Sequence, residues 1–67
     1  MTVGQKIIFY RNILGISQRG LAKKSGLTAP AISQYENEKR TPDLKSFITI
    51  CKSFGVNLDK FMEDVSI

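Results

Sequence analysis

Gln34 carries the side-chain amide best suited to specific recognition in this chain, because its neighbouring N–H donor and carbonyl acceptor can pair bidentately with the major-groove edge of adenine. The residues around it suit the same surface. Ser33 adds a hydroxyl, while Thr28, Ala29 and Pro30 offer the methyl-bearing groups that pack on the C5-methyl of thymine. No Lys or Arg lies between Leu27 and Asn37, so a basic side chain forked onto guanine, the commonest specific contact, is unavailable from this segment. Catalysis finds no comparable set. The chain has no histidine and one cysteine, so neither a Ser–His nor a Cys–His nucleophile nor a zinc site can be assembled. Asp59 and Glu63 stand four apart on a helical pattern, which describes a solvated acidic face better than a paired-carboxylate site. No Gly-rich phosphate loop occurs. The inventory predicts a protein that is not an enzyme, holds no metal and no cofactor, and senses no small-molecule ligand.

Such side chains need a helix that shows them together, and Ser17 to Tyr35 supplies one: SQRGLAKKSGLTAPAISQY reads as two short helices hinged by a glycine, the layout of a DNA-reading helix-turn-helix. Ser17 caps the first of the pair, Leu21 and Ala22 give it an inward face, and Gly26 takes the left-handed conformation that ends it. Thr28 caps the second, whose Ile32 and Tyr35 lie three apart on one side. At about 100° of rotation per residue, Ala29, Pro30, Ser33, Gln34 and Asn37 fall on the other.

The rest of the chain predicts three more helices and no strand. Val3, Ile7, Tyr10 and Leu14 recur at helical spacing as the inner stripe of a first helix that stops at Gly15, with Ile16 tucked in behind it. Asn37 to Thr41 is a polar loop, and Pro42-Asp43 starts a fourth helix with an apolar stripe of Leu44, Phe47, Ile48, Cys51 and Phe54. Asn57 caps a short fifth helix, in which Leu58, Phe61 and Met62 keep the period. With no linker, repeat or low-complexity tract, the expectation is one all-helical domain over residues 1–67, with the helix-turn-helix at about 17–36. A domain of this size buries only about 60% of the surface of its unfolded chain, so its core must be economical.

Ten Lys and Arg oppose six Asp and Glu, and the excess is uneven. Lys6, Arg11, Arg19, Lys23, Lys24, Lys39 and Arg40 face only Glu36 and Glu38 in residues 1–40, whereas the remainder is slightly acidic. A positive field in the helix-turn-helix half suits a polyanion through counterion release and steering. Cys51, between Ile50 and Phe54 in the apolar stripe, reads as a small core residue, and a lone cysteine fits a reducing compartment. No apolar run approaches the roughly 18 residues of a membrane span and no signal-peptide core stands at the N-terminus, so the cytoplasm is expected, without a membrane partner.

Across Val3 to Met62 the chain resembles the phage Cro/repressor helix-turn-helix family, also called xenobiotic-response-element-like. The resemblance runs in register through Ile7, Arg11, Gly15, Ser17-Gln18, Leu21-Ala22, Gly26, Ile32-Ser33, Glu36, Pro42, Leu44 and Phe54-Gly55-Val56. It implies a compact all-α, five-helix, lambda-repressor-like domain, often dimeric, whose third helix enters the major groove of operator-like DNA. By the same resemblance Gln18 hydrogen-bonds a phosphate at a helix N-terminus, with Ser17 and Arg19 beside it, and Asn37, Lys39 and Arg40 contact the backbone after the third helix. Arg11 and Glu36 match positions that pair, tying the first helix to the third. Two departures stand out. Glu38 occupies the place of a common glycine, so the loop is expected to turn with Asn37 left-handed. Pro30 stands in the first turn of the third helix, where its missing N–H costs nothing.

These readings converge on a sequence-specific DNA-binding transcriptional regulator of repressor type, a homodimer on an inverted repeat of double-stranded DNA. The dimer expectation rests on residues 58–67, where Leu58, Met62, Val65 and Ile67 extend an apolar series beyond what one small core absorbs. The alternative is a protein-binding module of the same fold, antitoxin- or coactivator-like, using Ile8, Phe9 and Ile13 off the inner stripe of the first helix.

Overall fold

Each helix begins on a side chain that satisfies its free backbone N–H groups. In the computed structural model, which describes residues 1–65, α1 (Val3–Leu14) starts with a reciprocal capping box. Thr2 Oγ1 accepts from the Gln5 N–H at 3.1 Å while Gln5 Oε1 accepts from the Thr2 N–H at 2.9 Å. Ser17, Thr28, Asp43 and Asn57 cap α2 (Gln18–Ser25), α3 (Ala29–Glu36), α4 (Leu44–Phe54) and α5 (Leu58–Met62). α2 stops at Gly26 with φ 74°, and α1 and α4 stop in the same way at Gly15 and Gly55. Pro30 falls in the first turn of α3, where the Thr28 hydroxyl accepts instead from the Ala31 N–H.

α2 packs on α3 and α4, α1 on α3 and α4, and α5 closes against α4. Ile7, Leu21, Ile32, Ile50 and Phe61 are completely buried at the centre, with Ala22, Tyr35, Cys51 and Phe54 around them. Tyr10 stacks on Phe54 and Phe61 at 5.3 and 5.8 Å, so one aromatic layer joins α1, α4 and α5. Burial pushes the Cys51 thiol above its ordinary pKa, as for an inert core cysteine. Among the described residues no helix is long and apolar enough to cross a membrane.

The apolar stripe of α4 is phased differently from the sequence expectation, and that of α1 departs from it only at Leu14. In α4, Ile50 is fully buried, whereas Leu44 and Ile48 are 65% and 40% exposed. Six apolar residues spread around this helix, and the positions of α1, α2 and α5 choose which face points inward. In α1, Val3, Ile7 and Tyr10 face the core as expected and Phe9 and Ile13 lie off that stripe, facing outward, but Leu14 is exposed beside the Gly15 stop.

The crossing of α1 over α3 depends on Gly4. A Cβ there would stand 2.5 Å from the Tyr35 carbonyl oxygen and 2.8 Å from that of Glu36, far inside van der Waals contact. Gly4 therefore lets the start of α1 lie directly on the end of α3.

Candidate nucleic-acid interface

α3 is two-sided. Ile32 and Tyr35 anchor one face in the core, while Thr28, Pro30 and Gln34 are exposed and Ala29 and Ser33 half-exposed on the other. Of the five residues singled out for base reading, Thr28, Pro30, Ser33 and Gln34 thus share one outward strip of a helix whose roll is set by packing, whereas Ala29 packs partly against the core.

Glu36 ends α3 and gathers three donors. Arg11 Nε donates to Oε2 at 2.7 Å, and Arg11 Nη2 and Gln18 Nε2 both donate to Oε1, at 3.0 and 2.9 Å. Arg11 Nη1 donates to the Ile16 carbonyl at 3.1 Å, which pins the α1–α2 turn to the same group. The forked hydrogen bond from Arg11 to Glu36 raises the guanidinium pKa further. Gln18, at the first position of α2, has one amide N–H held by this carboxylate and a second N–H left over. Ser17 spends its hydroxyl as an acceptor for the Gly20 N–H. Arg19, Lys23 and Lys24 are exposed along α2, whereas the stem of Lys6 is buried with its ammonium 5.6 Å from the Tyr10 ring.

The loop after α3 corrects one expectation. Asn37 is not left-handed, with φ −89°; Glu38, the residue at the usual glycine position, takes φ 61° itself. Asn37 Nδ2 instead donates to Ser33 Oγ at 3.3 Å. The turn sends the chain back along α3, where the Lys39 and Arg40 N–H groups both donate to the Gln34 carbonyl, at 2.9 and 3.4 Å. Arg40 Nη1 then donates to Gln34 Oε1 at 3.3 Å, with its guanidinium 5.9 Å from the Tyr35 ring centroid. Sequence reasoning placed Arg40 with the phosphates and missed this partnership, since it depends on a turn made by an atypical residue.

At the other end, Leu58 and Met62 are half-buried and pack against the core, Val65 is half-buried, and Ile67 lies outside the described residues. An apolar groove of about 500 Å³ runs between α4 and α5, lined by Ile48, Cys51, Val56 and Leu58 among others.

A helix pair hinged at Gly26, with one face buried and one presented and its open ends joined through the Glu36 carboxylate, defines a class, and comparison with known proteins agrees. The chain matches the helix-turn-helix family over residues 7–61 and belongs to it. The HTH-type transcriptional regulator PuuR of Escherichia coli K12 is 34% identical over 61 residues, covering 91% of this chain and 33% of that protein. The chain thus spans about a third of the length of this curated relative. An uncharacterized HTH-type transcriptional regulator of Methanocaldococcus jannaschii is 37% identical over 54 residues, 81% of this chain and 82% of the relative. Among solved structures, the P22 c2 repressor in complex with a synthetic operator aligns with a TM-score of 0.84 at 28% identity, over 91% of this chain and 92% of that one.

Proposed function

We propose that this chain is a sequence-specific DNA-binding transcriptional regulator of repressor type, working in the cytoplasm by occupancy of an operator rather than by catalysis. The observation that carries the reading is the two-sidedness of α3, anchored by Ile32 and Tyr35 and presenting Thr28, Pro30, Ser33 and Gln34 outward, with the half-exposed Ala29 at their edge. α3 enters the major groove. Ser17, Gln18 and Arg19 at the start of α2, and Asn37 and Lys39 after α3, meet phosphates on either side, with Arg40 beside them at the edge of the reading strip.

Residues 1–67 act as one such domain and bind as a homodimer, with α5 and the residues after it, Leu58, Met62, Val65 and Ile67, at the contact between copies. The groove beside Leu58, opened by exposed Ile48, extends that apolar surface. Fluorescence anisotropy against random DNA at low salt, followed by selection from a random pool, tests the assignment. A regulator binds the random DNA and selects an inverted repeat. A protein-binding module on the exposed Phe9 and Ile13 of α1 does neither, and that outcome would turn the assignment to the second reading.

A further inference from the structure

Resting on the reading that α3 faces DNA, the chemistry at the C-terminal end of its outward strip is not that of a glutamine acting alone. Gln34 turns its side-chain oxygen toward Arg40, from which it accepts at 3.3 Å, while the Tyr35 ring lies 5.9 Å from the guanidinium carbon. The loop's own hydrogen bonds to the Gln34 carbonyl hold Arg40 there. What this corner shows outward is therefore donors: the Gln34 amide N–H groups and the remaining N–H groups of the Arg40 guanidinium.

Adenine offers an acceptor, N7, beside a donor, N6, and its bidentate partner must turn both amide atoms toward the base; guanine offers two adjacent acceptors, N7 and O6. We propose that Arg40 and Gln34 form one unit that reads a guanine in the major groove, Arg40 supplying the forked contact and Gln34 holding the guanidinium in place. The basic contact missing from α3 is thus delivered from the loop, by the turn at Glu38. A phosphate contact needs only the charge of Arg40, whereas guanine reading also needs its orientation.

The test replaces guanines of the selected site, one at a time, by 7-deazaguanine, which lacks the N7 acceptor and leaves the DNA backbone unchanged. The wild-type chain is expected to lose about fivefold or more in affinity at one guanine per half-site. Arg40→Ala, in an exposed loop, binds the unmodified site more weakly and is indifferent to that replacement. Selected half-sites without a guanine, no guanine sensitive to N7 removal, or Arg40→Ala keeping the full sensitivity would each overturn the proposal and leave the regulator reading standing. A chain that selects no sequence overturns both.

Discussion

Gln18 Nε2 donates to Glu36 Oε1 at 2.9 Å, and the same carboxylate takes the fork of Arg11 from the other side. One acidic side chain therefore fixes both the α1–α3 crossing and the amide at the start of α2. The two partners should respond differently. Gln18→Ala leaves the ion pair in place, so it should lower affinity for operator and random DNA by the same factor, about 1 kcal/mol, with little change in melting temperature. A changed ratio between the two affinities would remove Gln18 from the phosphate contacts. Glu36→Ala strands a guanidinium whose side chain is only 17% exposed, and should cost about 2–4 kcal/mol in urea denaturation.

Gly4→Ala should be among the most damaging small substitutions. Its Cβ meets backbone oxygens of Tyr35 and Glu36, which cannot swing aside as a side-chain end would. Forcing α1 away from α3 should cost about 1–3 kcal/mol, against the gain that Ala normally brings inside a helix. A Gly4→Ala chain as stable as wild type would show that the crossing is not tight.

How far the sequence reveals this molecule depends on how local each determinant is. The caps at Ser17, Thr28 and Asn57 and the stops at Gly15, Gly26 and Gly55 are legible because each is set by one residue and its own turn. The burial of Ile32 and Tyr35 follows from spacing alone. α4 is different: Leu44, Phe47, Ile48, Ile50, Cys51 and Phe54 cover much of its circumference, so tertiary packing, invisible to periodicity, selects Ile50 over Ile48. Gly4 gives no sign either, since its role lies in two carbonyls more than thirty residues away. The site shows the same division. The outward strip of α3 could be read from rotation per residue, but the Arg40 to Gln34 contact needed the actual path of the loop, which turns at Glu38 and not at Asn37.

The phase of α4 has its own test. Ile50→Ala empties a fully buried position and should cost about 2–5 kcal/mol, whereas Leu44→Lys, at 65% exposure, should stay within about 0.5 kcal/mol of wild type. Ile48→Lys should leave the monomer equally stable while shifting sedimentation toward monomer, because it charges the rim of the groove proposed for the partner copy. Dimerisation unchanged in Ile48→Lys would move the contact elsewhere.

Asp43 links stability to acid. Its carboxylate accepts from the Ser46 N–H at 2.8 Å, and that backbone hydrogen bond, helped by the nearby charges of Arg40 and Lys45, holds its pKa below the ordinary 3.8. A folded-state pKa lower than the unfolded one means that the ionised cap stabilises above about pH 4 and that the gain is lost as pH falls through the depressed value. Asp43→Asn keeps a capping oxygen without the charge. It should melt slightly lower at neutral pH and show a shallower decline between about pH 4 and 2 than wild type. Parallel declines in the two proteins would mean that other carboxylates carry the acid sensitivity.

The N-terminal half of the reading strip makes a demand on the operator distinct from that of Gln34 and Arg40. Thr28 and Pro30, with the half-exposed Ala29 between them, present carbon to the groove, and the base-edge group that matches carbon is the thymine C5-methyl. Each half-site should therefore carry at least one A·T pair facing the start of α3. Deoxyuridine differs from thymidine only in lacking that methyl, so replacing those thymines should weaken binding to the operator while binding to random DNA and its salt dependence stay as they were. Gln34→Ala, at the far end of the strip, should instead cost about 1–3 kcal/mol at a different base pair and leave the deoxyuridine effect intact. If no thymine in the selected site responds to loss of its methyl, the carbon surface of α3 does not touch base edges, and the helix must enter the groove at another angle.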